Sequence, residues 1–98
     1  HQSNVCIFAE QEVDRSPTGT GTSGRVAQLF LRGQLALNEW FINESIVGSR
    51  FRARVIGACE VAGLPAALTE VAGEAHFMGM HQWMLEDSDP FAQGFFLR

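Results

Sequence analysis

The sequence contains no lysine and no tyrosine, so all seven basic residues are arginine, and they are scattered along the chain. No basic tract forms. With eleven acidic residues the formal net charge is −4 at pH 7 and the isoelectric point lies near 5.2. A general polyanion binder needs a cationic surface to displace counterions, so nucleic acid is excluded as the expected partner. Cysteine is equally sparse: Cys6 and Cys59 stand far apart with no CxxC spacing, which argues against a zinc site or a disulfide framework and makes a reducing cytoplasm the default location. No apolar run approaches the ~18 residues of a membrane helix, and His1–Phe8 lacks the basic start and long apolar stretch of a signal peptide. Neither a repeat nor a low-complexity linker divides the chain.

What is present is enough apolar material, 46% of 98 residues, for one modest core. Val5-Cys6-Ile7-Phe8-Ala9, followed by polar Glu10-Gln11-Glu12, predicts a buried strand ending in a turn that delivers Asp14. From about Thr22, residues Val26, Leu29, Phe30 and Gly33 recur at helical spacing. They predict an amphipathic helix with Thr22 or Ser23 as N-cap and Gly33 as its stop. Trp40–Val47 reads as a strand, Gly48 as a turn, and the run Arg50–Val55 as a second strand with three guanidiniums on one face and Phe51, Ala53 and Val55 on the other. A solvated face is the simple reading of those arginines, and a contact with another part of a larger protein is the alternative. Beyond Gly63-Leu64-Pro65, segments 66–72 and 75–85 are predicted as strands, and the Phe91–Leu97 tail is expected to dock through its three phenylalanines.

The chemistry is concentrated in Asp14-Arg15-Ser16-Pro17-Thr18-Gly19-Thr20-Gly21-Thr22-Ser23. Pro17 forces a turn before the helix, and Gly19 and Gly21 leave backbone amides open to approach at the positive end of the helix dipole, a setting suited to a carboxylate or phosphate. No Lys-Ser/Thr follows, so this is not a P-loop, and the dinucleotide fingerprint is only partly mimicked. Asp14 adds an acid that can meet an ammonium while the amides hold a carboxylate. Two readings stand on these residues alone: an ordinary capped turn, or a site for an amino-acid zwitterion.

The stretch DRSPTGTGTS, preceded by VCIFAEQEV, resembles the second active-site motif of the proline racemase family, in which the wording DRSPCGTGTS is typical. Asn43–Phe51, Gly73–Gln82 and Asp89-Pro90-Phe91 with Gly94-Phe95 resemble the C-terminal portion of that family, so the likeness spans nearly the whole chain. The resemblance implies an α+β chain, mostly strands around one amphipathic helix, forming a lobe portion of a two-lobed diaminopimelate-epimerase-like fold. It also implies a small proline-like amino acid as substrate, no cofactor and no metal. Asp14 matches the family acid that contacts the ring nitrogen, and Gly19 and Thr20 match the residues whose amides bind the carboxylate. Thr18 stands where racemases and epimerases place their second catalytic cysteine. A thiol, with a reference pKa of ~8.5, can be tuned to act as a base, whereas an alkyl hydroxyl cannot readily do so at neutral pH. Threonine there resembles the family's trans-3-hydroxy-L-proline dehydratases, and implies dehydration to pyrroline-2-carboxylate with Thr18 orienting or hydrogen-bonding. The alternatives carried beside it are a 4-hydroxyproline epimerase or proline racemase homologue and a non-catalytic amino-acid-binding homologue.

The family's first motif, a cysteine followed by Gly-His, matches neither Cys6 nor Cys59. Together with the start at His1 and the immediate strand-like run, this gives the expectation that residues 1–98 are a fragment, inactive alone, whose partner is a missing N-terminal lobe; a homodimer is compatible with the sequence. The remaining chemistry-bearing residues are assigned to packing. His76 and His81 would point to opposite faces of one strand, the cysteines would be small core residues, Trp40 and Trp83 would lie in core or interface, and Met78, Met80 and Met84 would share a strand face.

Overall fold

The alternation around Arg50–Val55 becomes the centre of the fold. In the computed structural model, which describes residues 1–97, the chain runs β1 (Gln2–Asn4), β2 (Ile7–Phe8), β3 (Glu12–Val13), α1 (Gly19–Leu31), β4 (Phe41–Ser45), β5 (Arg50–Val61) and β6 (Leu64–Ala72). Four strands form one sheet in the order β1-β4-β5-β6, with β1 parallel to β4 and the other neighbours antiparallel. A separate ribbon pairs Ile7 with Val13 and Phe8 with Glu12. The architecture is mixed α+β, one helix among strands, as expected.

β5 and β6 are joined by the two-residue turn Ala62-Gly63, both at positive φ (51° and 78°), as a type I′ hairpin requires. A register shift between Val55 and Gly57 marks a bulge in β5. The strand's two faces divide as the alternation dictates. Ala53 and Val55 are fully buried against α1, whose Val26 is also fully buried, and Leu35 and Phe41 complete the core, with Leu29, Phe30, Ala67 and Val71 packed around it. On the other face Arg50 pairs with Glu44 (2.7 Å) and Arg54 with Glu70 (3.0 Å). Arg52 and Arg54 lie over the Trp40 ring at 5.0 and 4.4 Å. These arginines are therefore held by neighbours within this chain, Arg50 and Arg52 exposed and Arg54 half-buried, and exposed pairs of this kind contribute modestly. Trp40 serves them as a platform and is not a core residue.

Several expectations change. The Val5–Ala9 strand shrinks to Ile7–Phe8 because Ala9 and Gln11 take positive φ (48° and 73°) and fold the chain into the ribbon, whose Ile7, Phe8 and Val13 are exposed. Helix α1 begins at Gly19, three residues before Thr22, and Gly33 (φ 71°) follows its C-cap, Arg32. Segment 73–86 forms no strand: no neighbouring strand pairs with it, and its residues are exposed. The tail does not dock on the described residues; Phe91 is 60%, Phe95 66% and Phe96 96% exposed. His76, His81 and the three methionines therefore lie on irregular backbone, where face arguments do not apply, and His81 stacks on Trp83 at 5.7 Å between ring centroids. Cys6 and Cys59 are half-buried, free thiols outside the core. The Cα radius of gyration is 19.0 Å, against ~13 Å for a compact chain of this length. Much apolar surface is left without a partner among the described residues. Among the described residues, no helix is long and apolar enough to cross a membrane.

Candidate active site

The four residues singled out in the sequence, Asp14, Thr18, Gly19 and Thr20, lie on one transition from the end of β3 into α1. Their conformation is built by short-range polar bonds. The Asp14 amide donates to the Cys6 carbonyl (3.0 Å), which anchors the loop at the ribbon. Asp14 Oδ1 accepts the Ser16 amide (2.8 Å), and Ser16 Oγ accepts the Thr18 amide (3.1 Å). These two side-chain turns wind the loop around buried Pro17. Asp14 is half-buried, with its carboxylate orientation set by the Ser16 bond, while Gly19 and Thr20 are exposed.

Thr18 is the N-cap of α1, in place of the expected Thr22 or Ser23, but its hydroxyl makes no capping bond. Its backbone has φ 66° and ψ 132°. That combination is disfavoured for a residue with a β-carbon and lies outside the left-handed helical well. The first helical bond runs from the Thr22 amide to the Thr18 carbonyl (3.2 Å). The amides of the first turn, Gly19 to Gly21, thus belong to the set that a helix cannot satisfy internally. No acidic side chain occupies that turn to compete for an anion. Gly21 allows the Thr18 side chain its place: a β-carbon there would lie 2.7 Å from Thr18 Oγ1.

Beneath the loop is a polar cluster that was not expected from the sequence. Thr22 and Asn43 are fully buried, and the Pro17 carbonyl accepts from Asn4 Nδ2 (3.0 Å) and Asn43 Nδ2 (3.4 Å). The single proton of the Thr22 hydroxyl goes to the Thr18 carbonyl (2.5 Å), the nearer of two carbonyls within reach, the other being Pro17 at 3.3 Å, and Thr22 Oγ1 accepts from Asn43 Nδ2 (2.9 Å). A second tie comes from β4 and the turn after it: Ser45 and Ser49 hydroxyls bond at 2.7 Å, and Ser49 Oγ donates to the Arg15 carbonyl. The signal was present in β4, where Phe41, Asn43 and Ser45 share the buried face. Asparagine on the inward face of a strand is uncommon and calls for a specific bonding role.

A concavity of about 890 Å³ borders this loop at Arg15 and Ser16 and runs between Gly48–Arg52 and Ala72–His76. None of Asp14, Thr18, Gly19 or Thr20 lines it. The candidate site is therefore an open surface: a shaped loop with a cationic-end helix, an acid and a hydroxyl, lacking an opposite wall among the described residues. Its parts suit the two charged ends of an amino acid.

The chain spans under a third of the length of the curated relatives it matches. It is 52% identical over 97 residues to the 3-hydroxyproline 2-epimerase of Burkholderia multivorans, covering 99% of this chain and 29% of that protein. It is 50% identical over 97 residues to the trans-3-hydroxy-L-proline dehydratase of Azospirillum brasilense, with the same coverage of each. The solved structure of a hydroxyproline epimerase from Agrobacterium vitis, with bound trans-4-hydroxy-L-proline, superposes with a TM-score of 0.79 at 36% identity, over 97% of this chain and 27% of that one. These relatives are epimerases and dehydratases acting on hydroxyproline by name. The family model described as proline racemase matches residues 1–96, and this chain belongs to that family.

Proposed function

We propose that residues 1–98 are one lobe portion of a two-lobed enzyme that dehydrates trans-3-hydroxy-L-proline to pyrroline-2-carboxylate, with this chain supplying the wall that binds the amino acid. The observation that carries the proposal is Thr18: a hydroxyl, held on strained backbone, stands where a racemase of the family would need a second thiol. Asp14 pairs with the ring nitrogen, and the Gly19 and Thr20 amides hold the carboxylate and stabilise the charge that builds on it as the α-carbon loses its proton. A thiolate from the rest of the protein takes that proton. The C3–O bond then breaks, the hydroxyl leaves as water after taking up a proton, and the resulting enamine tautomerises. Thr18 orients the substrate or hydrogen-bonds to it. The 50% identity to proteins named as dehydratases supports this reading.

A second reading, epimerisation of 3-hydroxyproline with a second proton donor other than a thiol, is favoured by the 52% identical relative named as a 3-hydroxyproline 2-epimerase. Incubation of the full-length protein with trans-3-hydroxy-L-proline in deuterium oxide separates the two. Dehydration gives a pyrroline carboxylate detected by coupled reduction, with L-proline left unracemised. Recovery of C2-deuterated, epimerised hydroxyproline without pyrroline overturns the dehydratase reading. In the same assay Thr18→Cys gains Cα exchange, because a thiol then faces the opposite side of the α-carbon.

A further inference from the structure

The backbone of Thr18 is fixed from both sides. The Pro17 carbonyl belongs to the peptide plane preceding Thr18, and the side-chain amides of Asn4 and Asn43 hold it at 3.0 and 3.4 Å. The Thr18 carbonyl belongs to the plane that follows, which also carries the Gly19 amide, and the Thr22 hydroxyl and amide hold it at 2.5 and 3.2 Å. With both planes held, neither φ nor ψ of Thr18 can relax from 66° and 132° without breaking buried hydrogen bonds. Strained residues persist where their surroundings over-determine them. Thr22 and Asn43 are the two members of the cluster that touch each other (2.9 Å) and are fully buried, so no ligand on the loop surface reaches either.

We propose that Thr22 and Asn43 are positioning residues for the reaction assigned above: by gripping the Pro17 and Thr18 carbonyls they hold Thr18 in its strained conformation, and so aim both its hydroxyl and the Gly19 amide at the substrate. This rests on the functional reading of Thr18 and Gly19. It assigns to a buried threonine-asparagine pair a part in catalysis that neither performs by contact. One further observation separates positioning from simple stabilisation. Among the described residues Asn43 Oδ1 is buried without a hydrogen-bond partner, so replacing Asn43 by its apolar counterpart leucine removes an unsatisfied acceptor along with the donor. Folding then has little to lose, while the aim of the loop does.

The test uses the full-length protein carrying Thr22→Val, Thr22→Ser or Asn43→Leu. Misplacement by about an ångström costs on the order of 100-fold in rate. Thr22→Val and Asn43→Leu are therefore expected to lower kcat by about that factor, at a temperature where thermal unfolding shows both fully folded. Thr22→Ser keeps the hydroxyl and stays within about threefold of the parent. Crystal structures of the two impaired variants are expected to show Thr18 φ outside the positive range. The proposal is overturned if both keep the parent kcat, if Thr22→Ser is as impaired as Thr22→Val, or if Thr18 keeps its conformation in both crystals. Should one variant fail to fold, the other carries the comparison, and Asn4→Leu supplies a second if needed. If the parent enzyme neither dehydrates nor epimerises hydroxyproline, the functional reading fails by itself, and the crystallographic φ of Thr18 alone decides the conformational claim.

Discussion

Gly21→Ala offers a way to move the Thr18 hydroxyl without touching Thr18. Gly21 is the third residue of α1, and its φ is not in the positive range, so alanine fits the backbone there. On intrinsic propensity alone the change should stabilise the helix by up to about 1 kcal/mol, less near the terminus than in the interior. The added methyl, however, would sit 2.7 Å from Thr18 Oγ1, where ordinary contact begins near 3.4 Å. One of the two must give by several tenths of an ångström. The helix backbone is held by its hydrogen-bond ladder, whereas the Thr18 hydroxyl makes no capping bond, so the side chain turns away. If this hydroxyl is aimed at the substrate, the displacement lowers the dehydration rate of the full-length enzyme by about tenfold to 100-fold. Thermal unfolding should show the melting temperature unchanged or raised. An enzyme that is both stable and fully active refutes the role given to Thr18. An enzyme that is inactive because it has unfolded refutes the assumption that the helix tolerates the methyl.

Asp14→Asn keeps the Oδ1 acceptor for the Ser16 amide but removes the charge. If Asp14 pairs with the ring nitrogen as proposed, loss of its charge is expected to weaken substrate binding by about 1.5–3 kcal/mol, roughly 10- to 150-fold in KM, and an unchanged KM removes Asp14 from the site. Ala62 occupies a left-handed position in the type I′ turn (φ 51°) where asparagine is preferred. Ala62→Asn should therefore stabilise the protein by up to about 1 kcal/mol in denaturant titrations, with no effect on activity.

Local patterning made much of the fold legible. The helical spacing of Val26, Leu29 and Phe30 named the face that packs on the sheet, the two-residue period of Arg50–Val55 divided a strand into its two sides, and Gly33, Gly48 and Gly63 each sit at positive φ where the chain stops or turns. The candidate site was legible as a stretch of chain, because an acid, a proline, glycines and hydroxyls crowd into ten residues. What failed were inferences that needed a partner. Residues 75–85 have the composition of a strand, but a strand exists only beside another, and none pairs with them. The helix start was misplaced for a different reason. Thr22 is a good capping residue by type, yet its hydroxyl turns back to the Thr18 carbonyl, one turn earlier, because Asn43 is waiting there from β4. Sequence spacing carries no record of that long-range bond.

The parallel pairing of β1 with β4 has a consequence for the order in which this molecule assembles. The β5–β6 hairpin closes across two residues and needs no distant contact. β1 meets β4 only after the ribbon, the loop and the helix between them have been folded back, a closure of about forty residues with a correspondingly larger entropy cost. Asn4 arrives with β1, and its side-chain amide is the nearer of the two amide donors on the Pro17 carbonyl. A chain whose hairpin has formed but whose first strand has not yet docked is therefore still missing part of the grip on the loop from Asp14 to Gly19. The shape of that loop is completed late, by the contact that takes longest to close.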